Sequence, residues 1–332
     1  MVTIGLVGLG FIGKSHLDAY QQMDHCQVTA ICTRSEVKDP EIRSSYNGAF
    51  INDYDALLED QAIDVIDICL PTYLHEEYII KAANAGKHII CEKPLTLSTE
   101  SFDRIFHAVK RNGVKLFVGH ILRFWPAYGR IKSYSLSDQL KDIEVVHAQR
   151  LSQFPSWSDW FKDPDKSGGA LFDLHIHDID YVYYLLGEVD SVYAVGNQNE
   201  YGAWNQIMTT LVFKNQSKAY VEASNQMPDG YPFTMNFRAQ TTKETMEFRV
   251  TAGENIEGID QSTDQLIYYT QNEQTSLEMD TNDPFNNELS YFIRCIEHNI
   301  ENEVIPLKDV RYVIHLLQAI QLSLESGQIV KI

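Results

Sequence analysis

Val2-Thr3-Ile4-Gly5-Leu6-Val7 runs directly into Gly8-Leu9-Gly10-Phe11-Ile12-Gly13, and the segment that follows, through Leu17 and Tyr20, has helical spacing. An apolar run of strand length, a G-x-G-x-x-G turn and a helix stand in the order that gives this motif its meaning. Gly8 permits the tight turn, Gly10 lets the backbone approach a pyrophosphate, and Gly13 lets helix and strand pack closely. The amino end of the helix, at Phe11 and Ile12, then offers unpaired N–H groups and a positive dipole end to phosphate oxygens. The stretch predicts a dinucleotide site on a βα turn.

Outward from it, Val28-Thr29-Ala30-Ile31-Cys32 reads as a second strand. A site for NAD usually places a carboxylate at this strand's end to bond the ribose hydroxyls. Thr33-Arg34-Ser35 stands there instead. A guanidinium flanked by hydroxyls suits a 2′-phosphate, so the loop favours NADP(H) over NAD(H). The alternative is a solvated Arg34 with NAD held through main chain.

The alternation continues. Ala49-Phe50-Ile51 and Val65-Ile66-Asp67-Ile68-Cys69-Leu70 read as strands, the latter ended by Pro71-Thr72. A helical segment from Leu74 to Ala85 stops at Gly86, a C-terminal cap signal. His88-Ile89-Ile90 leads into Cys91-Glu92-Lys93-Pro94, a helix is expected from about Ser98 to Lys110, and a sixth strand from Lys115 to Val118. Strands alternating with helices imply right-handed crossovers and a doubly wound parallel sheet of the Rossmann kind over residues 1–120. Ligands bind such sheets outside the carboxyl ends of the strands, where Pro71, Thr72, Glu92 and Lys93 fall. His75 is placed to line a nicotinamide pocket, with a capping or packing role as the alternative. Pro94 sets the shape of its turn, and proline makes a cis bond before it accessible.

After His120 the pattern changes. Strand-like runs at Ile143–Leu151, Val189–Val195, Thr209–Phe213, Ala219–Ala223, Thr234–Ala239 and Thr245–Val250 are separated by turn signals such as Pro228-Asp229-Gly230. Residues 121–332 therefore read as an α+β domain with a large open, mainly antiparallel sheet. Helices are expected at Asn286–Asn299 and Asp309–Leu324. Within this half, Ser167-Gly168-Gly169 precedes a helix carrying Asp173, His175, His177 and Asp178. Asp173 and His177, four apart, would share a face, and a carboxylate beside an imidazole suits a proton-transferring pair. His175 and Asp178, three apart, form a second, differently oriented pair, and a surface ion pair is the alternative reading of Asp173 with His177. The set lacks the ligands of a metal site, and none is expected. Trp157, Trp160 and Phe161 are candidates for stacking on a substrate, and Arg123 and Arg150 for binding its oxygens.

The bulk composition narrows the partners. A net charge of −19 disfavours a phosphate backbone, so no nucleic acid is expected. No apolar run is long enough to span a bilayer, and the first residues lack a secretory pattern. Five scattered cysteines suit reduced, buried thiols in a cytoplasmic protein.

On Gly8–Gly13, on Gly86-Lys87-His88-Ile89-Ile90-Cys91-Glu92-Lys93-Pro94, on Arg123-Phe124, and on Ser167-Gly168-Gly169 leading to Asp173 and His177-Asp178, the chain resembles the glucose–fructose oxidoreductase / inositol dehydrogenase / MocA family. The resemblance spans nearly the whole length. It implies hydride transfer between a nicotinamide and an alcohol or carbonyl carbon of a sugar, cyclitol or related polyol. It implies that Lys93 contacts the substrate oxygen, that Asp173 holds the substrate, and that His177 is the acid/base. It also implies a homodimer or homotetramer assembled through the C-terminal sheet. Two other activities occur on this fold: an NAD-dependent glycosidase that oxidises a sugar transiently, and a non-catalytic dinucleotide-sensing regulator. Thr33-Arg34 departs from the inositol dehydrogenase pattern, which tends to an acidic residue there.

Overall fold

The structure is a computed structural model of the 332-residue chain and describes residues 1–155, 158–253 and 263–332. It divides into two compact units, Met1–Phe124 with Asn282–Arg311, and Trp125–Thr281 with Tyr312–Ile332.

The first unit holds six parallel strands: β1 (Val2–Val7), β2 (Cys26–Cys32), β3 (Ala49–Ile51), β4 (Val65–Ile68), β5 (His88–Glu92) and β6 (Leu116–Gly119). Their order is β3-β2-β1-β4-β5-β6, with the reversal of direction between β1 and β4. This is the doubly wound order whose switch point is a ligand crevice. Helices α1 (Phe11–Gln21), α2 (Pro40–Ser45), α3 (Tyr54–Glu59), α4 (His75–Asn84) and α5 (Thr99–Asn112) make the crossovers. The strands are continuous apolar runs because both faces are covered: all four residues of β4 are buried, Asp67 among them. Ser98 caps α5 by accepting from the Ser101 N–H, and Gly113 ends it in a left-handed conformation.

Sequence alone puts residues 121–332 in one domain. The chain instead returns Asn282–Arg311 to the first unit. Leu289, Phe292, Ile293 and Cys295 form the buried side of α10 (Pro284–Glu297), and Phe292 packs on Phe117 of β6 at 5.0 Å. An apolar helix stripe buries where a sheet face is open, whatever its distance in sequence.

The second unit is built on nine strands: β7 (Val145–Gln153), β8 (Val189–Gln198), β9 (Trp204–Phe213), β10 (Lys218–Met227), β11 (Thr234–Gln240), β12 (Thr245–Thr251), β13 (Thr263–Tyr269), β14 (Gln274–Leu277) and β15 (Val330–Lys331). The order is β14-β13-β12-β11-β7-β10-β9-β8-β15, and every pairing is antiparallel except β7 with β10. Burial alternates along β9, the mark of a sheet with one covered face. With this unit come α6 (Pro126–Ser135), α7 (Pro164–Ser167), α8 (Gly169–Asp173), α9 (His175–Leu186) and most of α11 (Leu307–Ser326). Tyr128, Tyr181, Phe237 and Phe248 form its aromatic core, with ring centroids 4.6–5.6 Å apart around Tyr128. The hairpin β13–β14 and the strand β15 go beyond the strands expected from sequence. No helix among the described residues is long and apolar enough to cross a membrane.

Candidate active site

The register of the first sheet aligns Val7, Ile68, Cys91 and Val118 across β1, β4, β5 and β6. The following residues, Gly8, Cys69, Glu92 and Gly119, therefore lie along its carboxyl edge. Here the three motif glycines have three different reasons. Gly8 has φ +93°, and a side chain there would meet the Cys69 carbonyl oxygen at 2.4 Å. A side chain at Gly13 would meet the Gly8 carbonyl oxygen at 2.2 Å, whereas one at Gly10 would meet nothing within 4 Å. The open side of Gly10 and the amino end of α1, which has no acidic residue in its first turn, fit a dinucleotide pyrophosphate.

Glu92 and Lys93 close β5. The Lys93–Pro94 peptide is cis. Lys93 is half-buried, and its N–H donates to the Glu92 carboxylate at 3.2 Å. Thr72 is buried beside this edge, with Pro71 half-exposed. His75, read from sequence as lining a nicotinamide pocket or else packing, is held at this edge. Its ring is buried, with Nδ1 3.0 Å from the Pro94 carbonyl and Nε2 2.8 Å from the Leu70 carbonyl. Burial holds its pKa below the ordinary histidine value despite those two oxygens. His75 braces the turn after β4 against the turn after β5.

Beneath the edge lies a polar cluster that sequence reasoning passed over. His16 of α1 sits with Nδ1 2.8 Å from Asp67 Oδ2, and the Tyr20 hydroxyl donates to the same oxygen at 2.8 Å. Its Nε2 is 3.3 Å from Glu92 Oε1. Burial opposes a charged imidazole, yet Cys69 and Asp67 hold His16 well above its ordinary value. The Cys69 thiol is itself pushed up to about 12, chiefly by burial. Burial also raises the Glu92 carboxyl, but the hydrogen bond and charge of His16, then Lys93, outweigh it and leave Glu92 low. One signal was legible: Asp67 inside an otherwise apolar strand demands a buried partner.

At the end of β2, Thr33 donates its hydroxyl to the Ser35 carbonyl at 2.8 Å. Nearby charges are paired, Lys14 with Asp39 at 2.7 Å and Arg43 with Glu36 at 3.0 Å. Arg34 is exposed, with no carboxylate at salt-bridge distance among the described residues.

In the second unit, the expected single helix is broken. Leu174 separates α8 from α9, although its N–H still donates to the Ala170 carbonyl at 3.0 Å. From Leu171 to Asp180, Asp173 and His177 are half-exposed while every other residue is buried. The four-residue spacing thus leaves that carboxylate and that imidazole accessible together. Gly168 and Gly169 both adopt positive φ, and a side chain at Gly169 would press on Ala203 at 2.9 Å and the Trp204 carbonyl at 3.0 Å. A side chain at Gly168 would instead press on Phe172 at 2.6 Å.

The second pairing, His175 with Asp178, does not form. Asp178 accepts from Arg150 Nε at 2.8 Å and Nη2 at 3.2 Å, and both side chains are buried. His175 is fully buried, with Nε2 2.9 Å from the Thr209 hydroxyl, and burial lowers its pKa to about 3. An unfolded histidine titrates near 6.5, so below that pH the unfolded chain takes up a proton that the folded one refuses. The stability due to neutral His175 is complete above about pH 6.5 and drains as pH falls toward 3. At pH 5 the loss from this site is about 2 kcal/mol. Urea midpoints at pH 7 and pH 5 test this. The wild type falls further between the two than His175→Asn does, and equal falls would remove the assignment.

Two arginines offered for substrate oxygens are occupied elsewhere. Arg123 Nη1 donates to the Val304 carbonyl at 2.7 Å and to Asp309 at 2.9 Å, with none of its side chain exposed. Arg150 is held by Asp178. Both are buried ion pairs that tie distant segments together. Trp160 is half-buried and stacks on Phe161 at 4.1 Å. Trp157 lies outside the described residues.

Residues 2–120 match the family model described as the oxidoreductase family, NAD-binding Rossmann fold, and residues 129–253 match that of the GFO/IDH/MocA C-terminal domain. The D-xylose 1-dehydrogenase (NADP(+)) 2 of Haloferax volcanii is 27% identical over 335 residues, covering 100% of both chains. The myo-inositol 2-dehydrogenase of Thermotoga maritima is 30% identical over 241 residues, 69% of this chain and 70% of that one. A solved structure of levoglucosan dehydrogenase in complex with NADH and L-sorbose superposes with a TM-score of 0.82 at 24% identity, covering 99% of this chain and 98% of that one, a likeness of fold. With a six-stranded doubly wound sheet, its glycine turn and a mixed nine-stranded sheet behind these matches, the chain belongs to the Gfo/Idh/MocA family of oxidoreductases.

Proposed function

We propose that this chain is a nicotinamide-dependent dehydrogenase or reductase acting on a CH–OH or carbonyl carbon of a sugar, cyclitol or related polyol. The observation that carries the reading is Lys93, an accessible lysine at the carboxyl edge of the sheet, two strands from the glycine turn. The bound nicotinamide supplies the hydride chemistry. Gly8, Gly10, Phe11, Ile12 and Gly13 would hold its pyrophosphate, and Pro71, Thr72 and Glu92 would border it. Lys93 Nζ holds the substrate oxygen and polarises it. Asp173 orients the substrate, and His177 moves the proton that balances the hydride. Trp160 remains a candidate for the substrate face.

Absorbance at the reduced-nicotinamide band, with NADP and NAD in parallel against a panel of sugars and polyols, tests the proposal. Net cofactor reduction with at least one of them is expected. Bond cleavage without net absorbance change would point to the redox-neutral glycosidase chemistry. Tight cofactor binding with no turnover on the whole panel would favour a sensor.

The finer cofactor preference rests on Thr33-Arg34-Ser35, and we assign it to NADP(H). Arg34→Glu removes a charged hydrogen bond and sets a carboxylate against the 2′-phosphate. It is expected to lower kcat/KM for NADP by roughly 10²-fold while sparing NAD. An unchanged ratio of the two would return the choice to NAD through main chain.

Exposed Tyr193, Val195, Met208 and Tyr220 support assembly through the second sheet, as a homodimer or homotetramer. Registers Tyr193–Thr210, Val195–Met208 and Tyr220–Thr210 put them on one face of β8, β9 and β10. An apolar patch of this kind marks an interaction surface. Sedimentation velocity is expected to show a species at least twice the 38.0 kDa chain, and a lone monomer would remove the assignment.

A further inference from the structure

We propose that His16 is a positioning residue for the reaction: it fixes the Glu92 carboxylate, and Glu92 fixes the main chain of Lys93. The inference rests on the dehydrogenase reading above.

The geometry forms a chain of contacts. Asp67 Oδ2 lies 2.8 Å from His16 Nδ1, and His16 Nε2 lies 3.3 Å from Glu92 Oε1. Glu92 Oε2 accepts the N–H of Lys93 at 3.2 Å. Gly119 closes the remaining side, for a side chain there would come within 2.7 Å of Glu92 Oε1. The carboxylate is thus held from α1, from its own strand end and from β6.

Charge explains why an imidazole stands in the middle. Asp67 and Glu92 project from neighbouring strands, and both are buried. Two carboxylates in a dry interior do not both stay ionised unless a cation lies between them. A protonated imidazole faces both, with Nδ1 2.8 Å from Asp67 and Nε2 at ion-pair distance, 3.3 Å, from Glu92, whereas a neutral ring has only one N–H to offer. Phe285 of α10 packs on the ring at 5.5 Å, and His16 is buried. The titratable groups facing this pair are Tyr20 of α1, Asp67 and Cys69 at the end of β4, His75 of α4, Cys91 and Lys93 beside Glu92, and Glu288 of α10 near Gly119.

His16 also stands three residues beyond Gly13 on the helix whose amino end fits the pyrophosphate. One rigid helix therefore sets both the cofactor's phosphates and the carboxylate that aims Lys93.

The test has a readout independent of turnover and one that depends on it. In the unliganded wild type, nitrogen-15 NMR of the His16 ring is expected to show both nitrogens still protonated at pH 7, above the ordinary histidine value of about 6.5. A neutral ring there overturns the inference. His16→Gln keeps a donor toward Glu92 but loses the charge. Its affinity for NADP(H), by nicotinamide fluorescence, is expected to stay within about threefold, while kcat falls at least about tenfold. The acid limb of kcat/KM moves up by about one pH unit or more, because Glu92 without its cation protonates more readily. A loss of kcat with an unmoved limb would mark a merely structural role and overturn the inference. Should His16→Gln not fold, Glu92→Gln gives the same reading: its profile must lack that limb, and persistence of the limb overturns the inference. An active wild type with an unshifted profile in His16→Gln removes this inference alone. A wild type without turnover on the whole panel removes the dehydrogenase reading and this inference together.

Discussion

Lys93→Ala is expected to give a folded protein that binds its dinucleotide within about threefold of wild type and turns over roughly 10²–10⁴-fold more slowly. The separation of the two effects follows from how the turn is held. The Lys93 N–H is anchored by the Glu92 carboxylate, and His75 reaches the carbonyl of Pro94, so two anchors of this turn engage main-chain groups. Truncation at Cβ leaves them in place. What disappears is the side chain proposed to polarise the reacting oxygen, and such electrostatic help is larger in the transition state than in the bound substrate. The deficit should therefore fall in kcat more than in KM. Lys93→Arg keeps the charge but exchanges a compact, rotatable ammonium for a planar fork, and is expected to recover little. Steady-state kinetics and cofactor titration on the same preparations check this. Near-full turnover in Lys93→Ala would remove Lys93 from the mechanism.

What could be read from sequence and what could not divide along the range of the interactions. The glycine turn, the alternation to Gly119 and the strand runs of the second unit are local patterns, and periodicity carries them. Lys93 falls at a strand end for the same reason. Asp173 and His177 were paired by a helical spacing that survives a break at Leu174, because the backbone there stays near helical values, with φ −105° and ψ −50°. Long-range partners were invisible. Arg123 looked available for a substrate until Asp309, 186 residues away, took its guanidinium. Arg150 was likewise taken by Asp178, and His75 by two carbonyl oxygens. The return of α10 to the first unit has the same origin. His16 lay between these cases: the strand sequence signalled that Asp67 needs a partner, but only the fold names it.

Arg150→Met is the substitution expected to cost the most stability. It strands the Asp178 carboxylate, which is buried, without its bidentate partner. Breaking a buried ion pair from one side costs about 3–5 kcal/mol, because the remaining charge keeps its desolvation penalty and loses its compensation. For a unit of this size that corresponds to a fall in Tm of roughly 10 °C. The pair joins β7 to α9, and Asp178 is the immediate neighbour of His177, so turnover should fall at temperatures where the protein is still folded. Arg150→Met/Asp178→Leu separates charge from packing. With neither charge left to desolvate, the double variant is expected to regain most of the lost stability. It should not regain full turnover, since apolar contact does not fix the rotation of α9 as two parallel hydrogen bonds do. Thermal denaturation of the three proteins decides between these terms. If the double variant is no more stable than Arg150→Met, the cost lies in lost packing around the Arg150 side chain rather than in the orphaned carboxylate.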